Sequence, residues 1–256
     1  MIMERETKIK IFGTAFFIIL LMVLSYLIYK SNEVKRINVI EKVHVTGNKL
    51  LAEKDYLNFS KLNNSQVKGL TLPVIKDRFE KHPYVLRADV KFINEKEVQI
   101  FVTEKKIYGV IIKEPDPLFI SENFEVLPVI PNTKITEIPV LSNLKERAKL
   151  KPLSKFKTPD ILQAFKIIDA SRFTNTKMLK SLAEINLRNG GDVVLMFSGL
   201  NIPVIFGRGN EAIKTVCLEA VLSNYFEGNT LLAESSYLDL RFNNELYIGR
   251  MKKTEL

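Results

Sequence analysis

The sequence predicts an α+β chain: an N-terminal transmembrane helix, a small unit ordered strand, helix, helix, strand, strand, and then a mixed β-sheet domain with helices. Three observations carry this prediction. Residues 11–29, IFGTAFFIILLMVLSYLIY, hold no charged side chain. Beyond residue 36 the apolar positions switch between period two and helical spacing in short blocks, as alternating strands and helices require. Apolar residues make up 46% of the 256 and charged residues 26%, so real cores can form under an ordinary charged surface.

The apolar segment comes first. As a helix it spans roughly 28 Å at about 1.5 Å per residue, close to the hydrocarbon thickness of a bilayer. A core helix of this length would carry a polar face. A cleaved signal peptide would have a shorter apolar block and a small-residue cleavage site, and SYLIYKSNEV is bulky. The segment reads as an uncleaved anchor. Arg5, Lys8 and Lys10 precede it and Lys30, Lys35 and Arg36 follow it, so loop charge gives no orientation. No second apolar block of spanning length follows.

In the small unit, Ile37, Val39, Val43 and Val45 alternate like a strand. TGN at 46–48 turns the chain, and LLAEKDYLNF reads as a short helix. Pro73 lies near the start of a second, amphipathic helix with Val74, Ile75 and Phe79, and Pro83 stops it. YVLRADVKFI and EVQIFVTEK are alternating strands joined by NEK, a hairpin.

The rest reads as mixed α and β. IYGVII, PLFI and FEVLPVI are short strands. TPDILQAFKIIDAS is a helix with Thr158 as cap and Pro159 at its first position. SLAEINLR and DVVLMFSG flank the turn NGG, and IPVIFG is a further strand. A long helix then follows GRGN, with Ile213, Val216, Cys217, Ala220, Val221 and Tyr225 on its apolar stripe. Cys217 is the lone cysteine, so no internal disulfide exists, and its place on that stripe reads as a buried, inert thiol. In YLDLRF, Leu238, Leu240 and Phe242 point one way and Tyr237, Asp239 and Arg241 the other. NN at 243–244 would turn the chain so that ELYIG runs back beside it.

The net charge of +9 suits nucleic acid, a membrane surface or an acidic partner. The densest basic run, KERAKLKPLSKFK at 145–157, reads as a solvated linker or loop, and no aromatic-and-basic face suits single-stranded nucleic acid. Catalytic patterns are weak. SQVK (65–68) and SNLK (142–145) match serine-x-x-lysine, but the companion motifs of penicillin-binding enzymes are missing. The two histidines, His44 and His82, pair with no serine–aspartate arrangement, and no ligand cluster has zinc spacing. GRG lacks the longer fingerprint of a phosphate cradle.

VHVTGNKLL, HPYVLRADVKF and VQIFVTEKK, in that order, resemble a POTRA domain. With the short tail, the single span and the β-rich remainder, the whole chain resembles the FtsQ/DivIB family of bacterial cell-division proteins. FGRGNEAIKTV is similar to that family's strand–glycine–arginine–glycine–helix junction, and YLDLRF to its tyrosine–apolar–aspartate–leucine–arginine–aromatic strand. IPVLSNL (138–144) is similar to its proline–hydrophobic–leucine segment. LFISENFEVL resembles a stretch where an aspartate and a glycine make a turn. Ser121 and Asn123 stand about there, and asparagine tolerates the left-handed conformation.

The resemblance implies a cytoplasmic tail (1–10), a transmembrane helix (11–29), a POTRA domain (36–105), an FtsQ-type β domain (106–250) and a C-terminal tail (251–256). It implies an inner-membrane protein with its bulk on the periplasmic or extracytoplasmic side, enriched at the division septum. The function implied is a non-catalytic scaffold that helps control septal peptidoglycan synthesis. Its partners would be FtsB-like and FtsL-like single-span proteins, with other division proteins meeting the POTRA domain. The partner-binding residues implied are Arg208, Tyr237, Asp239, Arg241, Phe242, Tyr247 and Gly249, with no cofactor, metal or nucleic acid. An edge strand offers unpaired backbone groups to a guest strand, and arginines beside it set register and choice of partner. Either YLDLRF or ELYIG would be that edge, and the family leans to the second. The basic tail RMKKTEL would attract an acidic partner. The alternative is a POTRA-containing chaperone or transport-accessory protein that binds β-strand clients.

Overall fold

The computed structural model describes residues 2–33, 40–63, 69–135, 137–226, 232, 235–242 and 245–250. Ile37, Val39, the SQVK motif, the turn at 243–244 and the tail 251–256 lie outside the described residues. Helix α1 (Ile2–Glu33) takes in both the N-terminal tail and the apolar segment. Within it, Phe12–Lys30 is long and apolar enough to cross a bilayer, and none of it is buried against the rest of the chain.

The next elements are β1 (Lys42–Thr46), α2 (Glu53–Phe59), α3 (Leu72–Glu80), β2 (Val85–Phe92) and β3 (Glu97–Glu104). Their three strands form one sheet in the order β1-β3-β2, with β1 parallel and β2 antiparallel to β3. Period-two alternation places Val43, Val45, Val98, Ile100 and Val102 on the inner face, where they pack with Tyr56, Ile75 and Phe79 of the two helices. Pro73 sits in the first turn of α3, where its missing N–H costs nothing.

Two residues separate β3 from a nine-stranded sheet. Its strands are β4 (Ile107–Ile111), β5 (Leu118–Ser121), β6 (Val126–Pro128), β7 (Val140–Ser142), β8 (Leu182–Asn186), β9 (Val194–Phe197), β10 (Val204–Ile205), β11 (Ser235–Asp239) and β12 (Tyr247–Arg250). They lie in the order β12-β11-β10-β9-β8-β7-β4-β5-β6. The pairs β4–β7, β7–β8 and β10–β11 are parallel and the rest antiparallel, so the sheet is mixed. Helices α4 (Pro159–Thr174), α5 (Thr176–Ser181) and α6 (Glu211–Phe226) complete the unit, and α4 packs against α6 over the sheet's core. Thr158 caps α4, its Oγ1 accepting the Ile161 N–H at 3.3 Å, and Pro159 opens the helix.

The two sheets share packing. Phe119 and Leu127 of the larger unit join the core of the smaller one. The buried Tyr84 sends its hydroxyl across, 3.0 Å from the Pro128 carbonyl, and accepts the Ile130 N–H at 2.9 Å.

Two expectations change. The left-handed residue of the SENFE turn is Phe124 (φ 63°), not Asn123. Packing offsets the cost, because the Phe124 ring stacks on Phe165 with centroids 4.9 Å apart and lies under Lys157. On α6, Ile213 and Val216 face outward, while Lys214, Thr215, Leu218 and Leu222 are buried and Cys217 is only partly so. The core face of α6 is set by its contact with α4 and the sheet, and a buried lysine disguises it in the sequence.

Candidate functional site

Two sheets have four edges, and each edge strand has backbone groups to satisfy. On β1, the Val45 N–H donates to Glu53 Oε1 of α2 at 2.8 Å. On β2, the Ala88 N–H donates to Glu80 Oε1 of α3 at 3.2 Å. On β6, the Val126 N–H donates to the Ser154 carbonyl at 2.9 Å and the Val126 carbonyl accepts the Leu153 N–H at 2.7 Å. For β12 no such cover exists among the described residues. Strand β11 is therefore second from the edge, held by β10 on one side and β12 on the other. Of the two edges the sequence left open, the outer one is the ELYIG segment.

Six of the seven sequence-derived residues gather around β11 and β12. Asp239 pairs with Tyr247 and Tyr237 with Gly249 across the two strands. The rings of Phe242 and Tyr247 meet edge-on, centroids 4.9 Å apart, and both are about half exposed. The Tyr247 hydroxyl donates to Glu245. Phe242 also lines a small cleft with Ile213, Cys217 and Leu240, so the edge continues into an apolar surface on α6.

Arg241 is clamped. Its Nε and Nη2 donate to Asp239 at 3.0 and 2.7 Å, and Nη1 donates to Asp192 at 3.1 Å. The Arg241 hydrogen bonds hold the buried Asp239 carboxyl below the usual range, and the two aspartates raise Arg241. The stem of Arg241 passes over Gly207, where a Cβ would lie 2.9 Å from Arg241 Cγ, and Gly207 has φ +67°. Gly207 thus meets two demands at once, a left-handed turn and a close approach. Beside it, the buried Lys214 donates from Nζ to the Phe206 carbonyl at 3.0 Å and the Arg208 carbonyl at 3.3 Å, and burial lowers its pKa.

Arg208 is not part of that group. It donates to the Gly191 carbonyl at 2.8 Å, the Leu187 carbonyl at 3.3 Å and Asp160 Oδ1 at 2.8 Å. The other oxygen of Asp160 accepts the Lys145 N–H at 2.9 Å. The guanidinium clasps the loop after β8 to the start of α4. Asp160, Asp192, Gly207 and Lys214 were not singled out by sequence. Gly207 alone had a visible signal, the GRG motif.

The catalytic candidates are engaged elsewhere. Ser142 donates its hydroxyl to Glu184. His44 lies 3.7 Å from Glu97, and His82 is buried among Tyr56, Phe59 and Tyr84. Among the described residues, no His, Cys, Asp and Glu side chains group as metal ligands. The fold and this edge define a mixed α+β chain with an apolar N-terminal helix and an edge strand, β12, that nothing among the described residues covers. No protein-family model matches the chain, and no curated protein matches it.

Proposed function

We propose that this chain is a non-catalytic, membrane-anchored scaffold of the bacterial division machinery, of the FtsQ/DivIB kind. It captures FtsB-like and FtsL-like single-span partners by strand addition on β12. One observation carries the reading: at each of the other three sheet edges a group of the chain itself accepts an edge-strand N–H, and at β12 none does, among the described residues. A guest strand there satisfies open backbone groups without a strict sequence demand. The exposed rings of Phe242 and Tyr247 add apolar contact at the same border.

Arg241 supplies selectivity. Asp239 and Asp192 fix its guanidinium, whose Nη atoms each have a further N–H that bonds no acceptor among the described residues and suits a partner carboxylate. Arg208 contributes through the fold, by holding the loop beside Gly207 in place. The order β1-α2-α3-β2-β3 supports a POTRA domain over residues 36–105. In this reading α1 is the single membrane span, the sheets lie on the periplasmic or extracytoplasmic side at the septum, and the scaffold helps control septal wall synthesis. A chaperone for β-strand clients would need an open edge on the small sheet, where Glu53 and Glu80 each occupy an edge amide.

The test is co-purification of this chain, residues 1–256, with the FtsB-like protein of the same genome. Deleting residues 245–256 should abolish capture, and Tyr247→Glu should weaken it about tenfold. Undiminished capture by the deletion would remove β12 as the site.

A further inference from the structure

A second surface lies where the two sheets meet, far from the β12 reading in its chemistry. The turn after β1, the end of β3, the start of β4 and residues Lys134, Ile135 and Ile138 enclose a groove of about 580 Å³. Its apolar lining is Leu50, Phe101, Ile107, Ile135 and Ile138, and Phe101 is 53% exposed. Strand β3 forms one wall because it outruns β1: Thr46 pairs with Phe101, and residues 102–104 continue beyond it.

The charge is one-sided. Lys49, Lys105, Lys106 and Lys134 line the groove against a single carboxylate, Glu104. Glu104 is already engaged through Oε1, which accepts the N–H groups of Lys49 and Leu50 at 2.9 Å and the Tyr56 hydroxyl at 2.5 Å. Lys105 pairs with Glu125 at 2.7 Å, and Lys106 lies over the Tyr108 ring. Among the described residues no carboxylate pairs with Lys49, Lys106 or Lys134. The nearby Glu137 is held by Lys180 at 2.9 Å.

We infer that this groove is a docking site for an acidic peptide segment, one that alternates carboxylate and apolar side chains. The carboxylates meet Lys49, Lys106 and Lys134, with which no carboxylate among the described residues pairs, and the apolar side chains cover Phe101 and Ile135. Apolar floor and basic rim together favour such a segment over a bare polyanion, which would leave the floor exposed. Because the lining comes from both sheets, an occupant also ties them together.

The probe is a fluorescein-labelled, end-capped (Glu-Leu)4 peptide, read by anisotropy against the full chain in zwitterionic detergent. Saturable binding in the micromolar range is expected, weakened by raised salt. Lys49→Glu/Lys106→Glu/Lys134→Glu should weaken it at least tenfold, and the milder set of Lys→Gln changes severalfold. The charge-matched control Lys91→Glu/Lys166→Glu/Lys177→Glu should bind as wild type. Equal binding of a (Gln-Leu)4 peptide, or loss in the control set, overturns the proposal. So does a groove that ignores the peptide while its three lysines bind vesicles containing phosphatidylglycerol.

Discussion

The ring of Tyr237 occupies the space that a side chain at Gly249 would need: a Cβ there would lie 2.3 Å from Tyr237 Cε1 and 2.5 Å from Cζ. The two residues face each other across β11 and β12. An aromatic ring over a strand glycine supplies the packing that glycine lacks. Gly249→Ala therefore displaces the half-exposed ring and costs up to about 1 kcal/mol, the worth of a cross-strand pair. In a Tyr237→Ala background the same change should cost far less, since contacting residues couple. Thermal melts of the four proteins in that cycle check it, and strict additivity would mean that the ring and the glycine act independently.

Arg208→Ala should act on stability before it acts on any partner. It leaves the buried Asp160 with the Lys145 N–H and no countercharge. The expected loss is about 2–3 kcal/mol, below the range for fully buried pairs because the Arg208 side chain is partly exposed. Urea unfolding measures it. Capture of the FtsB-like protein per folded molecule should stay at the wild-type level, and wild-type stability with lost capture would place Arg208 in the interface instead.

His82 makes stability depend on pH. Burial first, and the charge of Lys105 second, lower its pKa from 6.5 to about 4. The Tyr84 N–H donates to its Nδ1 at 3.1 Å, so the neutral ring is the one that fits. The unfolded chain binds the proton first. Stability is thus unaffected above about pH 6.5 and falls as the pH drops toward 4, by at most about 3 kcal/mol, then levels off. Carboxylates add a slope common to all variants. His82→Phe should remove the histidine share, and urea midpoints at pH 7, 5.5 and 4.5 compare the two. Parallel profiles would show that His82 carries no such load.

What was legible in the sequence was local. The apolar run of α1, the Thr158 cap with Pro159, and the period-two faces of β1 and β3 each depend on neighbours a few residues away. What was not legible depends on distant ones. Arg208 finds Asp160 at a separation of 48 residues and Arg241 finds Asp192 at 49. No spacing rule announces either pair. The order of β11 and β12 depends on β10 pairing in parallel across the whole of α6, so pattern alone left the edge open. On α6 the outward Ile213 and Val216 and the buried Lys214 invert the usual sorting of side chains, because Lys214 has backbone carbonyls to satisfy it.

Tyr84 is the polar link between the sheets, and its loss should be felt on the far side. The hydroxyl lies 3.0 Å from the Pro128 carbonyl and 3.0 Å from Thr133 Oγ1, and accepts the Ile130 N–H at 2.9 Å. Thr133 in turn donates to the Ile130 carbonyl, so one phenol organises residues 128–133. Tyr84→Phe keeps the ring in the core and strands those groups, at about 1–3 kcal/mol for buried polar atoms left unpaired. Hydrogen exchange should speed up at the Ile130 amide, while Ile248 in β12, at the opposite end of the nine-stranded sheet, keeps its rate. The effect is local because the core contacts of Phe119 and Leu127 with the small unit remain. An unchanged rate at Ile130 would show that packing alone holds that segment and that the hydroxyl is incidental.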